Sequence, residues 1–334
     1  MKSLVDHLEA SLESANRPLL CNSVIPTLVH CINLIAEELR SSHQVAAAGS
    51  SNAFGDEQLN VDVLAEKIIR DKIRNCSSIV TASSEEDPVE NPAREASDHE
   101  ADTGDERYTI AFDPLDGSSI IAPNWTVGTI IGIWDGVSAL HGVPSEKQVA
   151  AILGVYGPRT TAIIAVRVPG AAPTCFEIGL GQEHEQLTTC EIVHPRINLL
   201  GPPFKTRYFA PANMRAAAED EKYLQLVTHY IQNKYTLRYS GGLVPDIVHT
   251  LVKGHGIYIS PVTDASKAKL RRLYELTPIA LIMECVGAKA IDPVTGEDIL
   301  ARPIENCDER AGLVCGTAEE VSLVKQSLKL GLHG

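Results

Sequence analysis

An apolar run, Tyr108 to Phe112, passes directly into Asp113-Pro114-Leu115-Asp116-Gly117-Ser118-Ser119. A strand is therefore expected to deliver two carboxylates and a small-residue turn to one end of a sheet. Asp113 and Asp116 are hard oxygen donors of the kind Mg2+ takes, and successive amides across Gly117, Ser118 and Ser119 suit an N–H concavity for a phosphate. The functional reading is metal-assisted phosphoryl chemistry. Asp-Pro and Asp-Gly are also ordinary turn dipeptides, and many such stretches only reverse the chain.

Further acids shift the balance. Glu85-Glu86 follows another strand-like run, Ser78 to Ala82, and Asp56 and Asp62 stand within Phe54 to Asp62. Taken singly, each acidic pair reads as solvated surface. A last carboxylate lies in the segment Lys267 to Pro278, where Thr277 reads as an N-cap and Pro278 as the first helical residue. The residues before it are therefore expected to form a strand, whose alternation puts Lys269, Arg271 and Glu275 on one face. Two cations would there meet an anion beside a carboxylate; a charged strand edge facing water is the alternative.

With Tyr235 to Asp246 added, these segments resemble the fructose-1,6-bisphosphatase family, and within it the sedoheptulose-1,7-bisphosphatases most closely. The resemblance runs from about Phe54 to about Cys315 and rests on five motifs in order: Phe54 to Asp62, Ser84 to Glu86, Phe112 to Ser119, Tyr235 to Asp246 and Lys267 to Glu275. The Asp-Pro-Leu-Asp-Gly-Ser segment alone also fits the wider superfamily that includes inositol phosphatases, so the later motifs narrow the assignment. The resemblance implies a mixed α and β fold, layered αβαβα with two mixed sheets. An N-terminal metal-binding domain would span 1–197 and a C-terminal sugar-phosphate-binding domain 198–334, divided near Pro195 to Pro203.

The implied activity is hydrolysis of the 1-phosphate of sedoheptulose-1,7-bisphosphate, giving sedoheptulose-7-phosphate and phosphate. Fructose-1,6-bisphosphatase is the alternative, and a catalytically silent metabolite sensor on the same fold a further one. Carried over residue by residue, the family's metal ligands fall on Glu85, Asp113, Asp116 and Glu275 for one ion. Glu85, Asp113 and the Leu115 carbonyl would serve a second, and Asp56 with Glu85 a third. All are oxygen donors and none of the 11 histidines is needed, which favours Mg2+ or Mn2+ over Zn2+. Glu86, with Asp62 beside it, matches the pair that orients and deprotonates the attacking water; a helix N-terminal charge is the other reading of Asp62.

The resemblance further assigns Gly117, Ser118 and Ser119 to the cleaved phosphate, Lys269 and Arg271 to the sugar and its phosphates, and Asn213 and Tyr239 to the distal phosphate. Arg238 matches a residue lent across a dimer interface, so a homodimer or homotetramer is expected. Ala216 and Ser260 stand where fructose-1,6-bisphosphatases carry two tyrosines around the distal phosphate, a change that leaves room for one more carbon. The segment Cys21 to Leu39 lacks the Thr-Gly-Glu pattern of the family's AMP site, although Arg107-Tyr108 keeps a basic-aromatic pair. Val45 and Ser50 replace the redox cysteine pair of the chloroplast branch.

At 334 residues the chain suits one large or two medium domains. A net charge of -14 argues against nucleic acid or an anionic membrane as partner. Eight acids against two bases fall in Asp87 to Arg107, which reads as a solvated linker. The eight cysteines lack paired spacing and read as reduced thiols. No apolar stretch is expected to reach the roughly 18 to 20 residues of a membrane span, and the first residues do not make a signal peptide. A cytoplasmic enzyme is the expectation. Helices are expected over about Ser23 to Arg40, Leu59 to Arg74, Ala216 to Lys234 and Pro245 to Lys253. A strand is expected over Thr126 to Trp134, and a hairpin from Val149 to Tyr156 and Thr160 to Val168.

Overall fold

The computed structural model describes residues 2–51, 57–94, 106–182 and 188–330. Strands Tyr108–Asp116, Val127–Asp135 and Gln148–Tyr156 are buried along almost their whole length. That burial on both faces is why they appear in the sequence as continuous apolar runs rather than as alternation. They form the centre of an eight-stranded sheet. Its spatial order is Thr188–His194, Thr174–Gln182, Thr160–Val166, Gln148–Tyr156, Val127–Asp135, Tyr108–Asp116, Ile79–Ser84, Asn91–Pro92. Neighbours are antiparallel except Ile79–Ser84 beside Tyr108–Asp116, which run parallel. The expected hairpin closes with Tyr156 opposite Thr160.

Alternation along these strands divides the cores. Ile164 and Ile178 pack with Leu8, Leu28 and Ile69 of helices Lys2–Leu12, Ile25–Ser41 and Asn60–Ile73. Ile163 and Cys175 point the other way, against Leu243 and Ile279 of helices Leu243–Lys253 and Thr277–Cys285. Those two helices are sandwiched by a smaller five-stranded mixed sheet, ordered Thr236–Leu237, Tyr208–Pro211, Ile257–Ser260, Leu313–Gly316, Lys289–Ile291. Helices Glu221–Gln232 and Ala318–Leu328 cover its outer face through Tyr223, Tyr230 and Val324. The layering is αβαβα, as the resemblance implied. The chain leaves the large sheet at His194 and enters the small one at Tyr208, and the middle core draws side chains from both.

Three local expectations need correction. The segment Leu20–Ser41, a π turn continued by an α-helix, is by length and composition apolar enough to cross a membrane, contrary to the reading that no stretch reaches that length. Its apolarity has a packing cause: Leu28, Val29, Ile32 and Ile35 are wholly or almost wholly buried against the large sheet. The stretch Ala216 to Lys234 is not one helix. A 3-10 turn, Met214–Ala218, stops before Glu221–Gln232, because Asp220 caps the second helix by accepting the Lys222 N–H at 2.8 Å. Lastly, only Leu270–Arg271 is extended in the segment before Thr277, paired with Arg310–Ala311. Arg272–Leu276 closes a π turn that runs on into Thr277–Cys285, and the Thr277 hydroxyl donates back to the Leu273 carbonyl at 3.3 Å instead of capping the helix.

Candidate active site

Strand Tyr108–Asp116 carries a bulge where it matters. Asp113 faces Ile130 and Asp116 faces Gly128, so three residue steps oppose two. In a regular strand, residues three apart point to opposite faces. The extra residue turns both acids toward one cavity of about 380 Å3, whose wall also includes Asp62, Glu85, Glu86 and Glu275.

Glu85 enters from the parallel neighbour, its N–H donating to the Phe112 carbonyl at 3.0 Å one residue before Asp113. Glu275 arrives through the π turn, and its Oε2 accepts the Arg271 N–H at 2.5 Å. Strand alternation does not place it, which corrects the expected face of Lys269, Arg271 and Glu275. Lys269 and Glu275 do line the cavity, but Arg271 is buried among the acids with its guanidinium on the Glu85 carboxylate.

One oxygen from each of Glu85, Asp113 and Glu275 lies within 4.8 Å of the others. Burial, then the Glu85 charge, pushes the carboxyls of Asp113 and Glu275 well above their usual range. Three mutually repelling carboxylates with only hard oxygen donors fit a divalent cation of the Mg2+ class. Asp116 lines the same cavity outside that close trio. Its Oδ1 and Oδ2 accept the Leu243 and Val244 N–H groups at 3.2 and 2.7 Å. Burial lifts it to about 7, against the pull of these two amides.

Glu86 and Asp62 sit on the cavity wall together. Glu86 accepts the Gln58 amide at 2.5 Å. Asp62 Oδ2 accepts the Leu59 N–H at 2.9 Å, and its buried Oδ1 has no hydrogen-bond partner among the described residues. Asp62 thus closes the first turn of Asn60–Ile73 and also lines the cavity. Burial, with Glu86 and Glu85 adding to it, raises its carboxyl to about 7.

Leu115, Gly117, Ser118 and Ser119 complete this wall. Gly117 has φ 103°, and a Cβ there would stand 2.9 Å from Val127 Cγ1, so glycine is required twice over. The distal group does not line the acid cavity. Asn213, itself left-handed at φ 56°, donates to the Pro261 carbonyl at 3.4 Å. Tyr239 is 44% exposed. The exposed Arg238 guanidinium lies over the Tyr208 ring at 5.8 Å and reaches the Leu237 carbonyl. Ala216 is fully buried in the outer core, so of the pair read as making room for a longer sugar only Ser260 is partly accessible. Asp56 lies outside the described residues.

Sequence reasoning missed Gly241 on the cavity wall, the Leu243 and Val244 amides, and Asp246. The Asp246 carboxylate, lifted to about 6 by burial, holds the Ser240-Gly241 turn through their N–H groups at 2.7 and 3.4 Å. The available signal was a Gly-Gly turn directly before a helix, which places free amides at the helix start.

The profile of the fructose-1,6-bisphosphatase N-terminal domain matches residues 6–182, and that of the C-terminal domain matches 203–329. The chain is 36% identical over 302 residues to the chloroplastic sedoheptulose-1,7-bisphosphatase of Chlamydomonas reinhardtii, covering 89% of this chain and 72% of that one. It is 34% identical over 312 residues to a class 1 fructose-1,6-bisphosphatase of Syntrophotalea carbinolica, covering 90% and 89%. A crystal structure of a candidate sedoheptulose-1,7-bisphosphatase from Toxoplasma gondii superposes with a TM-score of 0.82 at 32% identity, over 98% of both chains.

Proposed function

Given that the chain belongs to the fructose-1,6-bisphosphatase family, whose members hydrolyse sugar bisphosphates, we propose that it removes the 1-phosphate of sedoheptulose-1,7-bisphosphate. The observation that carries the chemistry is the meeting of Glu85, Asp113 and Glu275 in one cavity with Glu86 and Asp62. The first three, with Asp116, would hold one divalent cation. Glu85 and Asp113 with the Leu115 carbonyl would hold a second, and Asp56 with Glu85 a third. When bound, Mg2+ or Mn2+ supplies positive charge against the phosphoryl oxygens.

Glu86, supported by Asp62, accepts a proton from the attacking water as its oxygen bonds to phosphorus and the bond from phosphorus to the sugar oxygen breaks. The amides of Gly117, Ser118 and Ser119 hold the phosphate being cleaved. Lys269 on the cavity wall, with Arg271 behind it on Glu85, would serve the sugar and its phosphates, and Asn213 and Tyr239 the distal phosphate. The accessible Arg238 guanidinium supports its being lent to a neighbouring subunit in a homodimer or homotetramer. A cytoplasmic location belongs to the same reading and is supported by eight free cysteines, seven of them buried.

Support for the seven-carbon sugar comes from the partly accessible Ser260, where six-carbon enzymes carry tyrosine. The competing reading, fructose-1,6-bisphosphate, is favoured by the class 1 relatives matched over nearly their full length. Phosphate release from the two substrates, measured side by side with Mg2+, decides between them. A higher kcat/KM for the fructose ester would overturn the seven-carbon assignment.

A further inference from the structure

The bulge that aims Asp113 and Asp116 into one cavity removes the Pro114-Leu115 peptide from the regular ladder. A bulge leaves backbone groups without ladder partners, and buried ones must find others. Pro114 has no N–H, which disposes of one. The Leu115 N–H donates to Asp113 Oδ1 at 3.0 Å, so the carboxylate itself closes one side. On the other side the Pro114 carbonyl accepts the hydroxyl of Thr129, on the adjacent strand, at 2.8 Å.

Thr129 is fully buried, and its oxygen lies 2.6 Å from the Tyr156 hydroxyl on the next strand over. A carbonyl can only accept, so the single Thr129 proton goes to Pro114, and Tyr156 must be the donor to Thr129. The result is a directed chain across three strands: Tyr156 O–H to Thr129 Oγ1, Thr129 O–H to the Pro114 carbonyl, and the Leu115 N–H to Asp113. Burial keeps the Tyr156 phenol protonated and thus able to donate at any working pH.

We propose that Thr129 and Tyr156 are positioning residues for the metal-binding carboxylates: they fix the plane of the Pro114-Leu115 peptide and so hold Asp113 and Asp116 on the same side of the strand. Neither touches the cavity. The inference rests on the phosphatase reading of the site, because it is divalent-ion affinity that the spacing of these two acids sets. Valine at 129 keeps the shape but leaves the Pro114 carbonyl without its donor, and the bulge is then free to rotate. Phenylalanine at 156 leaves the Thr129 bond in place but takes away the donor behind it, a milder loss in a chain whose members polarise one another.

The test is Mn2+ binding by the full chain in the absence of substrate, followed by the electron paramagnetic resonance of free Mn2+ well below the melting temperature. Thr129→Val is expected to weaken Mn2+ binding tenfold or more, Tyr156→Phe about threefold, and Thr129→Ser to restore it. A purely structural role would lower the melting temperature of the variants and leave Mn2+ affinity unchanged. Wild-type affinity in folded Thr129→Val, or in Tyr156→Phe should the valine variant not fold, overturns the positioning role while the phosphatase reading stands. Absence of Mn2+ binding and of bisphosphate hydrolysis in the wild type overturns both.

Discussion

Asp116 Oδ2 accepts the backbone N–H of Val244 at 2.7 Å, so a cavity acid at the end of one sheet also satisfies the first turn of the helix packed behind it. Asp116 and Glu86 can therefore be separated by experiment. Glu86→Gln should lower turnover by about 100- to 10,000-fold, the range for losing a general base, with the melting temperature unchanged. Asp116→Asn turns an amide N–H toward a backbone donor and should cost about 1–3 kcal/mol of stability as well as activity. Full turnover by Glu86→Gln, or by the wild type after exhaustive chelation, contradicts the assigned chemistry.

Asp62 gives a pH dependence with a definite sign. Its carboxyl is raised to about 7 in the fold, whereas an unfolded aspartate titrates near ~4. Between those values the native state holds the extra proton. The stability Asp62 contributes is thus full below about pH 4 and lost as pH rises through about 7. Without divalent ions, the wild type should melt at lower temperature at pH 8 than at pH 5.5, and Asp62→Asn should show a shallower slope. Parallel slopes in thermal melts of the two proteins would rule this out.

Ser260 is the partly accessible half of the pair proposed to set the choice of sugar. Ser260→Tyr alone should raise the preference for fructose-1,6-bisphosphate over the sedoheptulose ester by about tenfold in kcat/KM, roughly what occupying or vacating a small volume achieves. Ala216→Tyr should instead destabilise the outer core, because the residue it replaces is fully buried. Unchanged substrate ratios in Ser260→Tyr would remove this position from the account of specificity.

Among the described residues Arg238 makes no ion pair; its guanidinium reaches the Leu237 carbonyl and lies over the Tyr208 ring. If a neighbouring subunit uses it, Arg238→Ala should raise KM by about tenfold or more, the lower end of removing a charge-assisted phosphate partner. Hybrids of Arg238→Ala chains with Asp116→Asn chains should regain activity at the one site that keeps its own Asp116 and borrows an intact Arg238. Hybrids no more active than the parent variants would place Arg238 within its own subunit.

The bulge shows where sequence reading reached its limit. Phe112 to Ser119 was legible as an acid-bearing strand end because apolar residues and turn residues adjoin without a break, and Glu85-Glu86 was legible for the same reason. The bulge itself was not, since the spacing of Asp113 and Asp116 does not reveal which backbone groups leave the ladder. Glu275 was assigned to the site through resemblance and given the wrong route, because a π turn and an extended strand can bring the same residue to the same place. The Asp116 contacts with Leu243 and Val244, more than a hundred residues away, depend on tertiary packing that no local periodicity encodes.

Both helices of the middle layer begin at the acid cavity. Leu243–Lys253 starts with the amides that bind Asp116, and Thr277–Cys285 continues from the turn that carries Glu275. Asp113 and Glu85 ride on the large sheet, while these helices are wedged between it and the small one. The distances among the four acids therefore gauge how the middle helices sit against the large sheet. Were a cation held there, a small shift of these helices against the large sheet would change its grip without altering any residue proposed to meet the sugar.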